Sequence, residues 1–245
     1  MAKTVKTTVD PLTRNDAAVP SAAADIAAFL EKAKTTAAPS ERRGRLIFAL
    51  DATMSRQPTW DQACHIQSEM FREAGKISGL QIKLVYFRGF GECRASRWFD
   101  SGDELAAVMG GIACQGGRTQ IGKVLSAALT AADKDKVAAL VYVGDCMEEN
   151  VDALCDKAGQ LGLLGVPMFL FQEGRDSVAE QAFGEMARLT RGAHCRFDPG
   201  AAHQLAELLK AVAVYASGGR EALLALERTG GQGARLLLEQ IKPAR

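Results

Sequence analysis

Asp51, Thr53 and Ser55 in LIFALDATMS, Thr119 in CQGGRTQIGK and Asp145 in VYVGD share one chemistry. Their side chains offer carboxylate and hydroxyl oxygens, the hard donors that Mg²⁺ or Mn²⁺ prefers. Two charges and three neutral oxygens suit an ion that takes roughly six ligands and holds its waters tightly. Such a set leaves a coordination position for an outside group, and the carboxylate of a partner is the obvious candidate.

These residues must be carried by elements that bring them together. Leu46 to Leu50 is an apolar run without alternation, which predicts a strand buried on both faces, with Asp51 at its C-terminal end. Leu80 to Phe87 reads as a second strand. Glu92 to Phe99, polar and joined by a short Gly-rich turn, reads as an antiparallel edge strand. Further strands are expected at Val137 to Val143, Val166 to Phe171 and Ala193 to Phe197. Helices are expected over Trp60 to Ala74, opened by a Thr59/Gln62 capping box, then over 103–113, 121–132, Val151 to Leu161, Val178 to Thr190 behind Ser177, and His203 to Ala216. Strands alternating with helices give an α/β fold, a Rossmann-like, mostly parallel six-stranded sheet with one antiparallel edge strand and helices on both faces.

In open sheets of this kind the functional crevice lies where strand order reverses beside the first strand. If strands two and three lie on one side of it and strand four on the other, the loops after Leu50 and Val143 open side by side. Asp51 and Asp145 then face each other, and two such carboxylates repel unless a proton or a cation sits between them. Paired glycines in CQGGRTQIGK allow a tight turn that hangs Thr119 at the edge of the same crevice. The bland alternative is that both aspartates only cap helices. Two of them at adjacent strand ends, with three hydroxyls in register, favour the cation.

In these motifs the chain resembles von Willebrand factor type A domains with a metal ion-dependent adhesion site. D-x-S-x-S is matched by Asp51, Thr53 and Ser55, with Thr53 in place of a serine. The loop threonine is matched by Thr119 in GGRTQIGKVL, and the later aspartate by Asp145. FGEMARLTRGAHCRF also looks like the family's last helix and strand. The resemblance covers about residues 43–216. It implies a domain that binds a divalent cation and, through it, an acidic residue of another protein, with no catalysis. Around that domain the reading places a flexible tail with one short helix at 1–42 and a C-terminal helical extension at 217–245. Arg56 and Arg118 flank the ligand candidates and are candidates to hold the far oxygen of a partner's carboxylate.

Two enzyme readings compete. D-x-T-x-S and VGDCMEEN are similar to motifs of haloacid dehalogenase-type phosphatases, with Asp51 as nucleophile and Lys123 holding phosphate. That reading lacks a second Asp at position 53 and leaves GGRTQIG unexplained. Gly117, Gly122 and Lys123 fit a P-loop spacing, but Val124 stands where a Ser or Thr must reach the metal, and a helix precedes the loop.

The chain's 245 residues, 47% of them hydrophobic, suffice for one large α/β domain, and a net charge of +1 argues against nucleic acid or an anionic membrane. The N-terminus lacks the apolar core of a signal peptide, and no stretch is long enough to span a bilayer. Six cysteines without CxxC spacing suit a reducing cytoplasm, the expected location. Cys114 and Cys146 fall in the two loops brought together, where a redox bridge and simple buried thiols are both open readings. The histidines lack ligand spacing and read as structural.

Overall fold

A computed structural model of the chain describes residues 44–57, 60, 80–198 and 201–241. The expected helix at 60–74, apart from Trp60, and the tail with its short helix lie outside the described residues. Six strands form one sheet: β1 (Gly44–Asp51), β2 (Leu80–Arg88), β3 (Glu92–Phe99), β4 (Ala139–Gly144), β5 (Met168–Glu173) and β6 (Ala193–Phe197), in the order β3-β2-β1-β4-β5-β6. β1 pairs in parallel with both β2 and β4, and only β3 runs antiparallel, as the polarity of ECRASRWF and its short turn require. Strand order therefore reverses at β1, and the crevice opens between the C-terminal ends of β1 and β4.

Burial on both faces explains why β1 has no polar alternation. Leu46, Phe48 and Leu50 join one core cluster while Ile47 and Ala49 join the other. The first cluster is closed by α1 (Gly102–Gly110), α5 (Ala202–Arg228) and α6 (Gln232–Leu238) through Leu105, Met109, Leu208, Val212 and Leu237. The second is closed by α2 (Ile121–Lys134), α3 (Val151–Leu163) and α4 (Ser177–Thr190) through Val124, Leu125, Leu154, Phe183 and Met186. Burial of these side chains, at about 25 cal/mol per Å² of apolar surface, is the main force holding the crevice's walls in place.

Two local expectations change. β4 and β5 begin two residues late, at Ala139 and Met168; Pro167 has no N–H to give a ladder, and Ala138 N bonds Arg45 O of β1 (2.8 Å) just ahead of β4. The cap of α4 is Asp176, whose carboxylate accepts from Ala179 N (2.7 Å), one residue ahead of Ser177. The break expected after Ala216 falls at Gly219, whose φ of 67° and ψ of −160° only glycine adopts readily, and a second helical stretch then runs to Arg228. α6 then folds back so closely that a Cβ on Gly233 would lie 2.2 Å from Glu207 O. Beyond it, the Gln240 side chain accepts from His194 N and donates to His194 O, both at 2.9 Å, along the outer edge of β6.

Candidate functional site

β1 ends in Asp51, which is fully buried, and the chain then turns through a 3-10 segment, Met54–Arg56. Thr53 N donates to Asp51 Oδ1 (2.8 Å), so the carboxylate fixes the loop that follows it. The Thr53 and Ser55 hydroxyls meet at 3.0 Å, Thr53 buried and Ser55 exposed. Across the crevice, β4 ends at Gly144 and delivers Asp145. Asp51 Oδ2 and Asp145 Oδ1 are both buried, and neither has a hydrogen-bond partner among the described residues. An orphaned buried carboxylate oxygen is costly, and two of them beside each other cost more still.

The electrostatics carry the same message. The Asp51 carboxyl is pushed up to about 6, first by burial; its bonds with Thr53 pull it down, the Asp145 charge pushes it up and Arg56 pulls it down. Burial, with help from Asp51 and then Asp145, drives the Tyr142 phenol well above its usual range. That phenol lies against Gly144, where a Cβ would come within 2.4 Å of its oxygen. A cation would relieve the repulsion, and the donor set of carboxylates and hydroxyls fits a hard divalent ion.

The third loop is stitched to the other two. Gln115 N donates to Ala52 O (3.0 Å), which joins it to the loop after β1. Thr119 N donates to Glu148 Oε2 and Glu148 N donates to Thr119 Oγ1, both at 3.1 Å, which joins it to the loop carrying Asp145. The Thr119 hydroxyl keeps a second lone pair. Close approach to the β2–β3 turn requires glycine at 117, since a Cβ there would lie 2.0 Å from Gly89 O.

The two arginines part company. Arg56 is 1% exposed, pairs with Glu173 at 2.8 Å and donates to Val143 O at 3.3 Å. Its guanidinium is spent inside, across the ends of β4 and β5, and does not face a partner. Arg118 is exposed at the surface. Lys123 donates to Gly91 O and Gln120 Oε1, both at 2.8 Å, which occupies it at the β2–β3 turn and away from a phosphate-holding role.

Sequence reasoning gave Glu148 and Glu149 no part in the site, and weighed Cys146 only as a redox bridge or a buried thiol. Glu149 accepts from Ile121 N and from Gly122 N (2.9 Å), supplying the cap that Gln120 does not. A helix opening without a capping residue was the signal that an acid from elsewhere must serve. Cys146 places its sulfur in a group with Asp51 and Asp145 whose potential ligand atoms all lie within 4.8 Å of one another. Its thiol is pushed up to about 12, by burial first and then by the charges of Asp145 and Asp51. Cys146 is a free thiol.

No protein-family model and no curated protein matches the chain. Solved structures do. A von Willebrand factor type A protein from Catenulispora acidiphila aligns with a TM-score of 0.60 at 15% identity, over 73% of this chain and 44% of that one. The vWF domain of the type V pili tip protein Mfa5 from Porphyromonas gingivalis aligns at 0.57 and 9% identity, over 69% and 93%. The SpRpn10 VWA domain aligns at 0.52 and 10% identity, over 66% and 94%. With its strand order and flanking helices, the chain has the von Willebrand factor type A fold. Among the described residues no helix is long and apolar enough to cross a membrane.

Proposed function

We propose that this chain is a protein-interaction module that recognises an acidic residue of a partner through a divalent cation. The observation that carries this reading is the pair of buried carboxylate oxygens, on Asp51 and Asp145, left without partners at adjacent strand ends. Asp51 and Asp145 supply the charge, and Thr53, Ser55 and Thr119 orient Mg²⁺ or Mn²⁺ and its waters. An Asp or Glu of another protein completes the shell, and Arg118 at the rim meets its far oxygen. The neighbours of the fold are von Willebrand factor type A domains by name, in keeping with this role, and they lend nothing to a haloacid dehalogenase-type phosphatase.

The test is Mn²⁺ binding, by calorimetry or paramagnetic relaxation, to the wild type and to Thr119→Val and Thr119→Ser. Thr119 is a ligand under this reading and not under the phosphatase one. Wild type is expected to bind, Thr119→Val about tenfold or more weakly, and Thr119→Ser close to wild type because the hydroxyl is kept. Equal binding by Thr119→Val, or none by the wild type, rejects the reading. Asp51→Ala is then expected to abolish capture of an acidic partner with the fold intact.

A further inference from the structure

The third member of the cluster differs in kind from the other two. Cys146 follows Asp145 directly, and its sulfur and the carboxylate oxygens of Asp51 and Asp145 lie within 4.8 Å of one another. Asp51 is fully buried, and its Oδ2 points to no partner among the described residues, which is independent of the thiol. The dimensions suit a small ion. A tetrahedral site with sulfur at about 2.3 Å and oxygen at about 2.1 Å has S–O edges of about 3.6 Å, so a closure of about 1 Å suffices.

Hardness decides which ion would use this set. Mg²⁺ takes oxygen and gains little from sulfur, so beside it the thiol would be a spectator. Zn²⁺ and other late first-row ions bind thiolate, imidazole and carboxylate, and a sulfur donor tilts the choice strongly towards them. Among the described residues Cys146 is the only cysteine grouped with acidic side chains in this way.

We infer that Cys146 is a metal ligand and that the site selects Zn²⁺ or a similar late transition ion over Mg²⁺. The inference rests on the cation reading of the same site and replaces its hard ion with a softer one. Asp51, Asp145 and the Cys146 thiolate form the protein's charged donors, and the thiol proton leaves to solvent on binding. The hydroxyls of Thr53, Ser55 and Thr119 then complete or flank the shell, and the open position still faces a partner.

The full chain is titrated with Co²⁺ as a spectroscopic stand-in for Zn²⁺, and separately with Zn²⁺ and Mg²⁺ by calorimetry, using wild type and Cys146→Ser. A near-ultraviolet thiolate-to-cobalt charge-transfer band is expected in the wild type and absent in Cys146→Ser. The variant is expected to lose about tenfold or more in Zn²⁺ affinity while its Mg²⁺ affinity changes less than about threefold. The wild-type cobalt spectrum stands on its own should the variant fold poorly. Co²⁺ binding without the band, or Mg²⁺ binding as tight as Zn²⁺ in the wild type, overturns the inference and leaves the cation-bridged module standing. A band that persists in Cys146→Ser assigns it to another cysteine and also overturns the inference. No binding of any of the three ions to the wild type rejects both readings.

Discussion

Breaking the buried pair of Arg56 and Glu173 gives the sharpest test of how the site loop is held. Arg56 leaves the loop that bears Thr53 and Ser55, passes Val143 O on β4 and meets Glu173 at the end of β5 at 2.8 Å. Both side chains are out of water, at 0% and 6% exposure. In Arg56→Met the Glu173 carboxylate stays buried without its counter-charge, and the expected loss is about 3–5 kcal/mol of folding stability. For a domain of this size that corresponds to a fall of roughly 6–20 °C in Tm. Pairing Arg56→Met with Glu173→Leu removes both charges together, and the double variant should recover most of that loss. Urea unfolding of the wild type, both singles and the double yields the coupling directly. A loss below about 1 kcal/mol for Arg56→Met, or a double variant as unstable as the sum of its singles, refutes the account. Exposed pairs such as Arg235 with Glu239 serve as the contrast, since separating them should cost about 0–1 kcal/mol.

Two further outcomes are expected. In chelator, Asp51→Asn should be more stable than wild type near pH 8 by about 3 kcal/mol, the equivalent of raising a carboxyl from 3.8 to about 6. The sign follows because a raised acid contributes stability that is fully present below its unfolded value and lost as pH rises through 6, so the advantage should shrink towards zero near pH 4. Saturating metal should reverse the order at pH 8, and an advantage independent of pH, measured by denaturant unfolding, rejects the assignment. Gly117→Ala should displace the loop from Gly89 O, where a Cβ would sit at 2.0 Å, and lower Mn²⁺ affinity by about tenfold or more, whereas Gly116→Ala, with open space around it, should bind nearly as wild type.

Much of the fold was legible because its signals are local. The apolar run of β1 announces burial on both faces, and the polarity of ECRASRWF with its short turn announces an antiparallel edge. The spacing of Asp51, Thr53 and Ser55 is likewise a property of a few adjacent residues. What escaped depends on partners far along the chain. Nothing in SRQ says that Arg56 turns inward, because its partner Glu173 becomes a neighbour only after β4 inserts between β1 and β5. Glu148 and Glu149 meet the N–H groups of Thr119, Ile121 and Gly122 only once the fold has brought the two loops together. Asp176 and Ser177 are both competent caps, and only backbone geometry chooses between them. The glycines at 218 and 219, by contrast, mark the break in α5 directly, because Gly219 takes a backbone conformation closed to other residues.

The Gln240 amide beside β6 has a consequence for traffic along the sheet. Its two bonds to His194 copy the donor and acceptor of one residue of a seventh strand, so a foreign strand seeking that margin must first evict a side chain already in register. At the opposite margin, β3 displays Arg94 and Arg97, charges that discourage the same approach. With one flank bolted and the other made unwelcoming, backbone-to-backbone adhesion is discouraged on both sides. What stays open is the crest of the sheet, where contact goes through side chains.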